Sequence, residues 1–321
     1  FQDWLIPLLS PEYKIKLEDI MSIIQRSLEA AGIHFCSIGY CDTLFSIELV
    51  PKILSLCNIV SCSVSFRKSN ASDVCPAYDK CLAAAKSCLQ LAKECGDLAN
   101  FRFCSSFNCH DAIPFFPVAF HASNMDDSSE SLRESGAISI GLENGDLLFL
   151  AFHGAGDETP GFSPNATVHS RGKEQLTDIM RQICYPIQSA AESICAERGL
   201  SYKGIDASIN PGLALPDSIG AGLESLMLAS VGAALGEGLE SARYREVGCF
   251  GTLAAVSTVT AAIKALASGE DRSIKLTGYS GLMLPVMEDV VLAQRATEGK
   301  FGVRDLLMFS SVCGVGIDTV P

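Results

Sequence analysis

Between residues 15 and 31, Leu17, Ile20, Met21, Ile24 and Leu28 recur every three or four positions with polar residues between them, and Gly32 follows. That spacing predicts an amphipathic helix with one apolar stripe and a glycine at its carboxyl end. The run from His34 to Tyr40 reads as a short strand, and residues 44–57 as a helix kinked or started at Pro51. Residues 59–66 alternate with period two, as a strand does, and a helix over 76–95 closes at Gly96. Further strands are expected over 101–107, 137–142, 203–209 and 274–277, and helices over 174–198, 222–234 and 252–267. At Asn144-Gly145 the signals conflict, because the pair suits a hairpin while Asn144 equally caps a helix running to Phe152. We take the helix.

Strands separated by helices need crossover connections, which implies an α/β fold with a mostly parallel sheet and helices outside it. The pattern fits a doubly wound sheet or a closed barrel and does not choose between them. Residues 154–172 turn to Gly, Pro, Asp, Ser and Asn without apolar periodicity. They read as a surface loop or insertion between two halves of a single large domain over 1–321.

Hydrophobic residues make up 48% of the chain, ample for a large core, and the formal net charge is −13. An acidic chain without clustered Lys and Arg is a poor nucleic-acid binder, so no nucleic-acid partner is expected. No stretch has the roughly 20 uncharged apolar residues of a membrane span, and the N-terminus is a poor signal peptide, so a cytoplasmic protein without a membrane partner is expected. The 14 cysteines are scattered through apolar elements without a Cys-x-x-Cys pair, which suits reduced, buried thiols. No P-loop or Gly-x-Gly-x-x-Gly follows a strand, so nucleotide binding is not expected. The chain starts without Met and stops at Pro321, and it reads as a fragment.

Four blocks stand in order: Ser106 to Pro117 around Cys109-His110 and Pro114; Gly204-Ile205-Asp206 to Gly212; Gly278-Tyr279-Ser280-Gly281 to Glu288-Asp289; and Cys313-Gly314-Val315-Gly316-Ile317-Asp318-Thr319-Val320-Pro321. Together they resemble the domain-of-unknown-function 711 family, also called uncharacterised protein family 0210. The resemblance implies an α/β barrel like that of pyruvate formate-lyase, no established reaction, and a longer chain continuing past the last block. Glycyl radical chemistry is not expected, because Lys275-Leu276-Thr277-Gly278-Tyr279 lacks the Arg and Val of the glycyl radical loop.

The candidate chemistry is mainly acidic. Glu143, Asp206, Glu288, Asp289 and Asp318 lie at strand ends or in glycine-flanked breaks. In a parallel fold such loops gather at one face, where carboxylates bind a divalent cation or act as an acid/base pair. Asp206, Asp318 and Glu288 are catalytic candidates, and Asp206 and Asp318 are also candidate ligands for Mg²⁺ or Ca²⁺. Glu288 and Asp289 equally read as acids offsetting the positive end of a helix, and Asp206 as a turn cap. Cys313, before a Gly-Val-Gly turn, is a candidate nucleophile, against the commoner inert buried thiol. Ser106, Asn108, Phe115, Tyr279, Ser280 and Thr252 are candidate substrate contacts, Thr252 through the amides of a helix N-terminus, although Phe115 also suits a core and Thr252 an ordinary cap.

The function expected is an enzyme acting on a small molecule in a carboxylate-lined pocket at the barrel end. The alternative is a non-catalytic binding or regulatory protein on the same scaffold. Helices 222–234 and 252–267 are almost uncharged all round, which needs a cover from this chain or from another copy, and a homo-oligomer is expected.

Overall fold

A computed structural model describes residues 1, 4–66, 77–107, 112–116, 118, 120–121, 136–152, 168–235, 245–268 and 272–320. The chain divides into two compact units, Phe1–Asp126 and Asp127–Pro321. The division falls before the 154–172 segment, most of which lies outside the described residues.

In the first unit, α1 (Leu5–Leu8) and α2 (Leu17–Ala30) precede β1 (Cys36–Cys41), α3 (Leu44–Leu56), β2 (Val60–Phe66), α4 (Tyr78–Cys95), β3 (Phe103–Phe107) and a small antiparallel pair, β4 (Ala112–Ile113) and β5 (Phe120–His121). The three longer strands form a parallel sheet with β2 in the middle. Every β2 residue but Ser65 is buried, as expected of a strand covered on both faces. Helix α3 is opened by a reciprocal cap between Thr43 and Ser46 and runs through Pro51, which neither starts nor ends it. At its other end, Arg102 donates to the carbonyls of Leu54 (2.9 Å) and Cys57 (2.8 Å), acceptors that the helix leaves open, and to that of Val60 (3.2 Å) at the start of β2.

The second unit begins with β6 (Ala137–Gly141) and α5 (Gly145–Phe152), so the chain at Asn144-Gly145 enters a helix and not a hairpin. Then come α6 (Val168–Arg198), β7 (Ser201–Asp206), α7 (Ile219–Leu235), α8 (Thr252–Ala265), α9 (Val290–Thr297) and α10 (Val303–Cys313). β6 and β7 pair in parallel, and the chain after α8 runs alongside β7 through parallel bridges Ile205–Leu276 and Ile209–Leu282. That segment approaches so closely that a Cβ on Gly204, at φ +123°, would sit 2.5 Å from the Lys275 carbonyl oxygen. The expected strand over 274–277 shrinks to these bridges, and the Gln188 side chain takes up its edge by accepting from Lys275 N (2.8 Å) and donating to the Ser273 carbonyl (3.2 Å).

α8 buries Ala255, Val256, Val259, Ala262 and Ile263 against α6, α7 and α10. Cover for one side of this helix is therefore supplied within the chain, while Ala254, Ser257 and Lys264 stay exposed. The fold is α/β with mostly parallel strands, and no closed barrel is present among the described residues. No described helix is long and apolar enough to cross a membrane.

Candidate functional site

Parallel strands deliver the loops that follow them to one end of a sheet, and in the second unit that end gathers most of the acidic candidates. Asp206 closes β7 and is 5% exposed. Its Oδ1 accepts from Ser208 Oγ (2.6 Å), Ser208 N (3.0 Å) and Ser280 N (2.9 Å), and its Oδ2 from Tyr279 N (2.8 Å). One carboxylate thus folds its own loop and clamps the turn 277–281. Ser280, held at φ 40°, completes the clamp by accepting from Ala207 N (3.3 Å) and donating to the Thr277 carbonyl (2.8 Å). Tyr279 is half-buried beside it, and Gly281 packs against Val315, Gly314 and the Cys313 carbonyl, bringing the last of the four sequence blocks onto the third.

The two acids beyond that junction differ from Asp206. The chain after Leu282 reaches Glu288, and Met287 N donates to the Thr319 carbonyl (3.1 Å), which places Glu288 next to Asp318. Both carboxyls are half-buried. Loss of water, reinforced by the negative Glu288, pushes Asp318 up to about 6 from the usual aspartate value of 3.8, against a smaller opposing pull from the Thr319 N–H. Glu288 is also raised by burial, with an opposing pull from the Thr319 hydroxyl. That hydroxyl is close enough to Glu288 to exert this pull, but Thr319 Oγ1 is buried with no partner in full hydrogen-bonding geometry among the described residues. Thr319 sits at φ 32°, an outlier for a β-branched residue and a form of strain that collects at functional turns. Nothing in the sequence marked Thr319, because a threonine beside Asp318 carries no signal of its backbone strain.

The remaining candidates are placed as follows. Asp289 is fully buried and caps two helices at once, accepting from Ser218 Oγ (2.7 Å), Ile219 N (2.7 Å) and Gly220 N (3.3 Å) at α7 and from Val291 N (3.1 Å) and Leu292 N (3.0 Å) at α9. Cys313 is fully buried, with its Sγ accepting from Val315 N (3.4 Å) and Gly316 N (3.2 Å), so it closes the end of α10. Ser106 is buried in β3 and donates to the Val64 carbonyl (3.1 Å); it and the half-buried Phe115 belong to the first unit. Asn108 lies outside the described residues.

Among the described residues no three side chains of metal-ligating type stand together. Asp206 spends both oxygens on backbone and hydroxyl donors. A divalent cation at Asp318 would have Glu288 as its carboxylate neighbour and would take the rest of its shell from water or substrate.

A pocket of about 510 Å³ opens elsewhere in this unit, between segments 246–253 and 300–309, and none of the acidic candidates lines it. Thr252 lies fully buried behind its wall, accepting from Gly248 N (2.9 Å). The raised carboxyls Glu288 and Asp318 stand together away from its lining residues. One further signal sits at the end of β6: Asn144 is 5% exposed, and neither atom of its amide is bonded among the described residues.

The family model described as "Uncharacterised ACR (DUF711)" matches residues 10–236 and 233–321. Among curated proteins, the chain is 27% identical over 246 residues to a UPF0210 protein of Pyrobaculum islandicum, covering 75% of this chain and 45% of that protein. It is 25% identical over 278 residues to one of Syntrophobacter fumaroxidans, covering 85% and 53%. To one of Lachnospira eligens it is 24% identical over 321 residues, covering 94% and 62%. The chain spans about half the length of the first two of these relatives.

Proposed function

The chain belongs to the DUF711 family, and we propose that it is an enzyme that moves a proton on a small molecule through the carboxyl pair Glu288 and Asp318. The observation that carries this reading is Asp318, half-buried in a strained turn beside a second acid and pushed up to about 6. A carboxyl titrating near neutrality transfers protons in both directions at physiological pH, and a neighbouring carboxyl supplies the partner that acid/base chemistry needs. Asp318 acts as the acid or base that touches substrate. Glu288 raises its proton affinity, and the Thr319 hydroxyl beside them is a ready hydrogen-bond group for a bound ligand.

Asp206 is a positioning residue in this reading. It sets the 277–281 turn, and through Gly281 that turn supports the segment carrying Asp318. Hydrolysis or elimination of a small molecule is the reaction class that such a pair serves, without glycyl radical chemistry. The parallel strands support the pyruvate formate-lyase-like barrel as the parent architecture, and the burial of Cys41, Cys57, Cys62, Cys184, Cys195 and Cys313 as thiols suits a reducing, cytoplasmic setting.

The test is to incubate the purified chain with a fractionated metabolite extract and to follow consumption by mass spectrometry, comparing it with Asp318→Asn and Glu288→Gln. We expect compounds consumed by the wild type and spared by both variants. Consumption that persists in both would sink the assignment of the pair. An extract in which compounds bind and none is consumed would favour a binding protein.

A further inference from the structure

The pocket between segments 246–253 and 300–309 takes no part in the proton-transfer reading, and its walls combine two properties. Its inner side is apolar: Phe309 is buried, with its ring edge-on to Phe301 at 6.5 Å between centroids, and Leu253 and Met308 lie beside it. Phe250 stands at its mouth and is 97% exposed, a large aromatic surface held in water. Gly248 makes the shape possible. At φ +102°, with a would-be Cβ only 2.5 Å from the Lys300 carbonyl oxygen, it lets the two walls meet backbone to backbone.

The charge on these walls is unbalanced. Lys300 is the pocket's one cation among the lining residues, and Glu246 already holds it at 2.6 Å. Behind Glu246, Arg295 is gripped by both oxygens of Glu224 (2.7 and 3.0 Å) and by Glu298 (2.9 Å), so two cations face three carboxylates before Asp305 is counted. Asp305 lines the pocket and accepts on Oδ2 from Gly302 N (2.8 Å), and its Oδ1 has no hydrogen-bond partner among the described residues. An anion entering here would meet a surplus of negative charge. A purely apolar guest would bury those carboxylates without compensation, which is costly. A guest with an ammonium group and an apolar body answers both, its charge facing carboxylate and aromatic ring together.

We propose that this pocket is a second binding site, separate from Glu288 and Asp318, for an amphipathic organic cation. The apolar body rests on Leu253, Met308 and Phe309, and the ammonium group faces Asp305 and Glu246 beneath Phe250. The chain's net charge of −13 favours the approach of such a ligand.

Phenethylammonium serves as the probe, with 2-phenylethanol and 3-phenylpropionate carrying a comparable body as neutral and anionic controls, each titrated calorimetrically at low salt. The expected order is phenethylammonium at least about tenfold tighter than either control. Asp305→Asn should weaken the amine about tenfold, and Phe250→Ala severalfold. Because Phe250 is almost wholly exposed, its truncation leaves the fold intact even where Asp305→Asn disturbs the start of α10. Asp318→Asn should leave the amine's affinity unchanged. Equal binding of the three probes, no binding of the amine, an affinity indifferent to both pocket variants, or one lost in Asp318→Asn would each overturn the proposal.

Discussion

Replacing Asp318 by Asn removes a charge that the folded chain holds at a cost. In the unfolded chain the carboxyl ionises near 3.8, whereas in the folded chain it holds its proton to about 6. A raised acid destabilises in one direction only: between those values the native state binds the proton that the unfolded state has released, so stability falls as pH rises through the window and stays reduced above it. The difference of about 2.2 in pKa (6 − 3.8) corresponds to about 3 kcal/mol, and because Asp318 keeps some contact with water, about 1.5 kcal/mol is the working figure. Asp318→Asn keeps an oxygen to accept from Thr319 N and carries no charge. It should match the wild type near pH 3.5 and exceed it by about 1.5 kcal/mol at pH 7. Urea unfolding followed by far-ultraviolet circular dichroism suits the measurement, because the single tryptophan, Trp4, lies in the first unit and reports little of this one. A gain in stability that does not grow between pH 4 and 7, or a loss at pH 7, would refute the argument. A variant that stabilises the fold while abolishing consumption of substrate is the combination expected of a group kept for chemistry.

Asp289→Ala should cost about 3–5 kcal/mol by urea unfolding, since it uncaps α7 and α9 together and strands buried N–H donors. Gly204→Ala should lower stability by at least about 2 kcal/mol, read as a drop in Tm, because the added carbon meets the Lys275 carbonyl and the positive φ is strained. Arg295→Lys keeps the charge and loses the two-pronged grip on Glu224, for about 1–2 kcal/mol, and unfolding midpoints of the wild type should fall with added salt more steeply than those of the variant.

Much of the fold was open to periodicity. The stripe of Leu17, Ile20, Met21, Ile24 and Leu28 became α2, with Leu17, Ile20 and Met21 buried, and the alternation over 59–66 became the central strand β2. These elements are legible because burial of one face imposes its period on the residues. The segment 274–277 was less so, because a side chain, Gln188, does part of the work of a neighbouring strand. The boundary near Asp126 left no mark that residues 122–135 made plainer than the Gly- and Pro-rich stretch after them. At the site, sequence picked out Asp206, Glu288, Asp318 and Cys313 but had no means of ranking them, since composition records that an oxygen or sulfur is present and not whether its lone pairs are spoken for.

That distinction separates the acids of this unit. Asp206 accepts four hydrogen bonds and Asp289 five, all from groups fixed by the backbone or by adjacent serines, so each is complete as a piece of scaffold. A carboxylate so occupied has nothing to offer a substrate without first unmaking the loops it holds, and every donor it abandoned would be left buried and unpaired. Asp318 and Glu288 are the opposite case. They lose water without receiving an equivalent set of donors, they lie near one another, and Thr319 beside them is strained in backbone, with a hydroxyl that has no partner in full hydrogen-bonding geometry among the described residues. A fold gains no stability from that arrangement and pays for it with neighbours such as Asp206, whose clamp on Tyr279 and Ser280 secures the turn against which Gly314 and Val315 pack. The saturated acids and the unsatisfied ones are therefore two halves of one construction: the first supply rigidity at the ends of the strands, and the second use it to keep a carboxyl whose proton leaves only as pH rises through about 6 instead of 3.8.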